Sequence, residues 1–270
     1  MNNIGKNSFD IGYMDTLALG DSSLHRLDPR AKLITTLVFI VTVLSFGKHT
    51  VSAMLPFFIY PIVLISLSGL PSRYLMKKLL IVSPFAVLVG IFNPFIDREI
   101  IYYIGSIGIS GGWVSFLSIL LRFVLTVTAA LILLSLTGFN AVCASLMKLG
   151  LPRPFVVQLL FFYRYIFVLT DEAERMERAR SLRAFNSEAM NIKIFVSLIG
   201  HLLLRTIDRA ERIYLAMCCR GFDGRIRMIR KMKRSYKELF FVIGWSLLFI
   251  FLRNYNITLK LGQAFTGVIK

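Results

Sequence analysis

Two short triplets built around arginine are the residues of this chain best suited to chemistry: Ala179-Arg180-Ser181 and Cys219-Arg220-Gly221. Arg180 and Arg220 lie 40 positions apart. An arginine with small neighbours can donate a fork of two hydrogen bonds to a carboxylate, or to backbone carbonyls, of an approaching partner. We therefore expect both triplets to be contact sites for another protein.

Each triplet stands at the end of a long, charged helix. Pro154 suits the first turn of the earlier helix, and Asn186 and Ser187 are typical of a break followed by a new cap. Gly221 is the residue type that ends a helix. At about 1.5 Å per residue, the helices would be roughly 45 and 50 Å long. The alternative is a solvated face in which local pairs such as Glu174 with Arg178 contribute only about 0.2–0.5 kcal/mol each.

The composition is that of an integral membrane protein. Of the 270 residues, 56% are apolar, against roughly 45–50% in an average soluble domain. The net charge of +17 is concentrated, because 19 of the 32 lysines and arginines lie between Phe139 and Lys237. One large basic segment in a membrane protein is typical of a cytoplasmic domain beside anionic lipid, and we expect no nucleic-acid partner.

Apolar runs predict the membrane spans at 33–46, 51–70, 75–92 and 113–136, with a further short run at 239–252. Residues 1–30 are polar, without the apolar run of a signal peptide. Positively charged residues are found in this N-terminal segment, at Arg73 to Lys78 and in the basic segment. By the positive-inside rule these parts are cytoplasmic, so we expect a multi-pass protein of the cell inner membrane with a cytoplasmic N-terminus. Arg122 is the one clear charge well inside the first four spans, and we expect it to pack between helices or snorkel.

The fold class expected is all-α, a polytopic membrane protein with about five transmembrane helices and a cytoplasmic domain of one short and two long helices. The expected domains are a cytoplasmic N-terminal segment (1–30), a four-helix transmembrane region (31–137), the cytoplasmic helices (138–235), and a last transmembrane helix with a C-terminal tail (236–270).

Enzyme chemistry and metal binding are disfavoured. The first four spans hold no carboxylate, and no nucleophile with a base stands at membrane depth. The three cysteines and three histidines have no metal-binding spacing, so we expect no metal site. We expect a loop between the third and fourth spans, with four glycines from 105 to 112 that do not match a phosphate-binding fingerprint.

The chain resembles the transmembrane T component of energy-coupling-factor transporters, importers in which ABC-type ATPases drive a membrane scaffold that holds a substrate-binding subunit. The resemblance rests on the two arginine triplets, on Arg178 to Arg183, and on a motif at the first helix. The motif residues are Asp28, Pro29, Arg30 and Lys32. From the residues alone, Asp28 and Pro29 predict a helix N-cap and first helical position.

The resemblance implies a non-catalytic subunit whose two triplets each dock into a groove on one of two ATPases. It implies no cofactor on this chain, with ATP and Mg²⁺ in the ATPases. ATP-driven closure would move the two long helices together and tilt the substrate-binding S subunit in the membrane.

Segments 92–95, 111–116 and 161–165 are most similar to the cobalt-type member of the family, which implies Co²⁺ uptake with cobalt-type M and N subunits as partners. The metal ligands would then belong to another subunit. Alternatives are a T component for nickel or a vitamin, and a basic membrane anchor that binds anionic lipid.

Overall fold

The computed structural model describes residues 12–47, 50–96, 100–104, 107–183, 192–224 and 236–255. The chain is an all-α membrane protein, as its sequence predicts, with one short hairpin between helices. The helices are α1 (12–17), α2 (Ser23–Arg26), α3 (Pro29–Leu44), α4 (Val51–Met54), α5 (Ile59–Ser68), α6 (Ser72–Gly90), α7 (Asn93–Ile96), α8 (Gly111–Thr137), α9 (Phe139–Lys148), α10 (Arg153–Arg183), α11 (Ile192–Cys219) and α12 (Tyr236–Asn254), and a 3₁₀ turn (Leu55–Phe58) joins α4 to α5.

The chain divides into two compact units. The larger comprises Asp15–Gly138 and Met232–Lys270, and therefore includes α3 to α8 and α12. The smaller comprises Met1–Met14 and Phe139–Lys231, and includes α9, α10 and α11. Charged residues dominate the latter half of α10 and one side of α11, whereas α3, α5 and α8 are mostly apolar.

The core of the larger unit is a cluster of aromatic rings from α3, α5 and α12. Phe39 stacks on Tyr60 at a centroid distance of 4.5 Å, and Phe249 lies 5.3 Å from each of them. Trp245 meets Tyr60 edge-on at 4.9 Å, and the Tyr60 hydroxyl shares a hydrogen bond of 3.0 Å with Thr36. Because Phe249 is fully buried, α12 is an integral part of this core, although it is remote in sequence.

Helices α6 and α8 approach closely at a glycine. A Cβ atom added at Gly90 would lie 2.7 Å from Cδ2 of Phe116, which is closer than real Cβ atoms come to a neighbour. Gly90 therefore lets the end of α6 lie against the Phe116 ring.

The glycine-rich stretch expected to be a loop forms an antiparallel hairpin of two strands, β1 (Ile100–Ile104) and β2 (Ile107–Ser110). Tyr102 pairs with Ile109, and Tyr103 with Gly108. β-branched and aromatic residues favour strands, which explains why this short segment is extended.

Three helical stretches in the described part of the chain are long and apolar enough to cross a membrane: Val51–Ser68, Gly111–Thr137 and Arg153–Arg183. The first two match predicted spans, and the third supports a helix that enters the membrane before its charged half begins. Two other predicted spans are not among these three, because α3 has only 16 residues and α6 carries Arg73, Lys77 and Lys78. The total of five transmembrane helices stays a prediction.

The smaller unit has a modest core, in which Cys143, Val156 and Leu160 are buried. The rings of Phe139 and Tyr163 stack at 4.3 Å, which attaches the start of α9 to α10. No described residue of α11 is buried, so packing within this unit leaves most of the surface of α11 open.

Candidate functional site

The first triplet lies in the last turns of α10. Helix α10 begins at Arg153 with Pro154 as its second residue, where the missing N–H leaves no intrahelical bond unmade. The Ser181 hydroxyl donates to the Arg178 carbonyl at 2.8 Å. The Arg180 side chain is half-buried, and its Nη1 makes no hydrogen bond to any described residue. The Arg180 guanidinium thus keeps an unused donor.

The second triplet forms the end of α11, and its geometry follows from the glycine. The Gly221 N–H donates to the Cys218 carbonyl at 3.0 Å, and the Phe222 N–H donates to the Met217 carbonyl at 3.0 Å. Gly221 has φ +75°. This pair of bonds with a left-handed glycine is the Schellman motif, which satisfies the last carbonyls of a helix. Arg220 is exposed directly before the turn, as the helix-ending role predicted for Gly221 requires.

Helices α10 and α11 run antiparallel. The Arg205 guanidinium and the Glu172 carboxylate form an ion pair at 2.8 Å in the middle of both helices. The Phe222 ring, just after α11, lies 6.3 Å from Phe161 near the start of α10. Arg180 is near the end of α10, 19 residues beyond Phe161, so the two triplet arginines are separated by about 30 Å along the helix axes. The structure does not bring Arg180 and Arg220 together.

The break predicted at Asn186 and Ser187 lies outside the described residues. Four arginines at helical spacing lie on α11 or at its end, and all are exposed: Arg205, Arg209, Arg212 and Arg220. Among the described residues of α10 and α11, the ion pair within 4 Å is Glu172 with Arg205. The structure thus joins the two helices through their charges, where local spacing had suggested pairs within each helix.

The motif at the first helix is a local cap followed by a long-range contact. A carboxylate oxygen of Asp28 accepts from the Arg30 N–H at 2.9 Å, and Pro29 is the first helical residue, so the predicted cap is confirmed. Lys32 is 4% exposed. Its ammonium donates to the Leu136 carbonyl at 2.9 Å and to the His25 carbonyl at 3.4 Å. A cation at the C-terminal end of α8 satisfies a terminal carbonyl and complements the helix dipole.

Two further polar contacts lie in the larger unit, and of these the sequence predicted the packing of Arg122 but not the contacts of His25. His25 is buried, and its Nδ1 and Nε2 lie 2.6 Å from the Ser22 hydroxyl and 3.1 Å from the Leu17 carbonyl. Because a carbonyl only accepts, Nε2 carries a proton and Nδ1 can accept from Ser22. Arg122 donates to the Phe46 and Gly47 carbonyls at 3.0 and 2.6 Å. This confirms that Arg122 packs between helices, and its isolation among apolar residues was the available signal.

The three thiols differ in environment. Cys143 is buried, whereas Cys218 and Cys219 are exposed beside Arg220. Burial raises the pKa of the Cys143 thiol to about 11, because a thiolate is poorly solvated there. Among the described residues, no three of the His, Cys, Asp and Glu side chains are grouped as metal ligands.

Comparison with known proteins places these features in a family context. The profile of the family described as "Cobalt transport protein", CbiQ, matches residues 20–232. The chain is 31% identical to the "Energy-coupling factor transporter transmembrane protein EcfT" of Bacillus subtilis, over 76% of this chain and 82% of that protein. It is 30% identical to the protein of the same name from Heliobacterium modesticaldum, over 85% of this chain and 92% of that protein. An uncharacterized protein of Methanocaldococcus jannaschii is 30% identical over 82% of this chain and 78% of its own length.

Proposed function

The chain belongs to the CbiQ family of cobalt transport proteins, and on that premise we propose that it couples ATP hydrolysis by two partner ATPases to the movement of a substrate-binding membrane subunit. It is a non-catalytic transmembrane component of an energy-coupling factor transporter. The proposal has four parts. Arg180 and Arg220 have the coupling role, two ATPases bind the chain, a separate membrane subunit binds the substrate, and the N-terminus is cytoplasmic.

The observation that carries this proposal is the placement of the two triplets at opposite ends of an antiparallel helix pair. Their separation of about 30 Å is close to the diameter of a small domain, so two ATPase subunits could each reach one arginine. Arg180 is half-buried beside the exposed Ala179, and Arg220 is exposed beside a glycine whose surroundings are open. A bidentate bond to a carboxylate would then transmit motion of each ATPase to one end of the pair.

The test is co-purification of the ATPases with the tagged chain, expressed with its complete set of subunits. Arg180→Glu and Arg220→Glu reverse a charge at each triplet, and Arg175→Glu and Arg209→Glu, at exposed positions of the same two helices, are matched controls. Removing one partner of a hydrogen-bonded charge pair at an interface costs about 2–5 kcal/mol, so affinity should fall at least about 30-fold. The protein should remain in the membrane.

Equal effects of triplet and control variants would show that total charge, rather than two particular arginines, controls association. That result would favour a basic membrane anchor, since nonspecific electrostatic binding scales with the number of cations and weakens with salt. Retention of ATPase binding and uptake by the double variant Arg180→Glu with Arg220→Glu would refute the coupling role.

We further propose Co²⁺ as the substrate, bound by the partner subunit. The support is the family description, which covers residues 20–232; nickel and vitamins are the alternatives. Uptake of labelled Co²⁺ by cells that make the whole transporter should be ATP-dependent and should fall with the Arg220→Glu chain. Uptake of Ni²⁺ or of a vitamin by these cells, without uptake of Co²⁺, would reassign the substrate and leave the coupling role intact.

A further inference from the structure

A groove on α12 is lined by apolar side chains and has a lysine at one end. It has a volume of about 310 Å³. Its lining consists of Leu27 and six residues of α12: Lys237, Phe240, Phe241, Gly244, Trp245 and Leu248. The α12 residues recur at helical spacing, so the groove follows one side of the helix.

The size of the groove matches a single lipid chain in one leaflet. From Lys237 to Leu248 the helix rises about 16 Å at 1.5 Å per residue. That is about half of the roughly 30 Å hydrocarbon thickness of a bilayer. Spread along that length, the volume of about 310 Å³ leaves a cross-section of roughly 20 Å², far smaller than that of an α-helix about 10 Å across. An extended acyl chain is narrow enough to lie in it.

The walls and floor of the groove are preformed. Trp245 packs against Tyr60 at 4.9 Å and against Phe249 at 5.7 Å, so its ring is held by the aromatic core. Gly244 forms an open part of the floor, because a Cβ atom there would meet nothing within 4 Å. Trp245 is half-buried and Gly244 is exposed, so a chain lying on Gly244 would contact the indole ring.

Positive charge is dense in the sequence just before the lysine end of the groove: six lysines and arginines lie at 225–234, and α12 begins at Tyr236. Lys237 is exposed and makes no hydrogen bond or ion pair to another described residue. Leu27 lines the same groove and is adjacent in sequence to Arg26 and Asp28, close to the start of α3. Clusters of basic residues beside a transmembrane segment attract anionic lipid in the cytoplasmic leaflet.

We propose that this groove binds one anionic phospholipid, with an acyl chain along Gly244 and the headgroup phosphate at the Lys237 ammonium. A phospholipid satisfies the apolar lining and the cation at the same time. A neutral lipid would leave Lys237 without a counter-charge, and an acidic protein segment would not match the apolar length of the groove.

The test is native mass spectrometry of the purified full-length chain titrated with phosphatidylglycerol or phosphatidylcholine, without any other subunit. Gly244→Leu places a side chain in the open groove and should abolish the bound lipid. Gly200→Leu is its control, because Gly200 is a helical glycine of α11 that also has nothing within 4 Å of a Cβ. Circular dichroism confirms that both variants remain helical.

The charge contribution is tested with Lys237→Gln against Lys78→Gln, a partly exposed lysine of α6 that does not line the groove. A basic residue near the membrane surface contributes enough to change affinity about fivefold, so Lys237→Gln should weaken phosphatidylglycerol binding by that factor and leave phosphatidylcholine binding unchanged. Equal losses from Lys237→Gln and Lys78→Gln, or full lipid occupancy in Gly244→Leu, would overturn the site. A Gly244→Leu chain that keeps its lipid but loses a membrane subunit from the complex would identify the groove as a protein contact. Because no ATPase is present in the lipid assay, its outcome is independent of the coupling proposal.

Discussion

Replacing Lys32 by methionine tests whether the motif at the first helix stabilises the larger unit through its long-range contact. Methionine keeps the length and apolar stem of the side chain but removes the ammonium, so the carbonyls of Leu136 and His25 lose the donor at 2.9 and 3.4 Å. A buried polar group left without its partner costs about 1–3 kcal/mol. The shorter bond should account for most of the loss, and we expect a total of about 1–4 kcal/mol.

The assay is unfolding of the purified chain in mixed micelles as the proportion of denaturing detergent rises. Fluorescence of Trp245 reports on the core, because its ring packs against Tyr60 and Phe249, and a Trp113→Phe background leaves this single tryptophan. Lys77→Met is the matched control, since Lys77 is exposed and surface substitutions usually change stability by less than about 0.5 kcal/mol.

Equal unfolding midpoints for Lys32→Met and Lys77→Met would refute the reasoning. That result would mean that water or rearranged backbone satisfies the two carbonyls, or that removing a desolvated ammonium compensates fully for the lost bonds.

Two further predictions concern packing and thiol chemistry. Gly90→Val should destabilise the chain by about 1–3 kcal/mol in the same unfolding assay, because overpacking displaces neighbours and a Cβ added at this position would lie 2.7 Å from Phe116. Gly200→Val is the control and should not cause that loss, since Gly200 has open space around it. A wild-type midpoint for Gly90→Val would contradict the close approach of α6 and α8. Because burial raises the pKa of Cys143 to about 11, its thiolate fraction at pH 8 should be on the order of 100-fold below that of an ordinary thiol, so maleimide should label both exposed thiols of α11 first and label Cys143 faster as the pH rises. Equal labelling rates for all three thiols at pH 8 would contradict the buried environment.

Local structure was accessible to sequence reasoning where neighbouring residues determine it. Asp28 and Pro29 begin α3 as predicted, because an N-cap needs only a side-chain acceptor and the next backbone N–H groups. Gly221 ends α11 as predicted, because a left-handed residue needs only the absence of a Cβ atom. Both motifs act within one turn of helix.

The length of α12 and its place in the core were harder to predict. The apolar run at 239–252 predicted a short last helix, whereas α12 spans Tyr236–Asn254 and packs Phe249 against both Phe39 and Tyr60. Hydropathy measures how apolar a segment is, but it contains no information about which ring it packs against. The hairpin between α7 and α8 was missed because four glycines between 105 and 112 favour a loop interpretation.

The sequence by itself determined the membrane class, the family and the two arginine triplets, because hydropathy and short motifs are properties of consecutive residues. Only the tertiary structure decided that the triplets lie at opposite ends of an antiparallel pair, and that Lys32 meets a carbonyl 104 positions away. Such contacts depend on how separate helices pack, and the free energy of that packing comes from side chains that are distant in the chain. The Glu172 and Arg205 pair is the simplest example, since neither residue's neighbours indicate which helix supplies the partner.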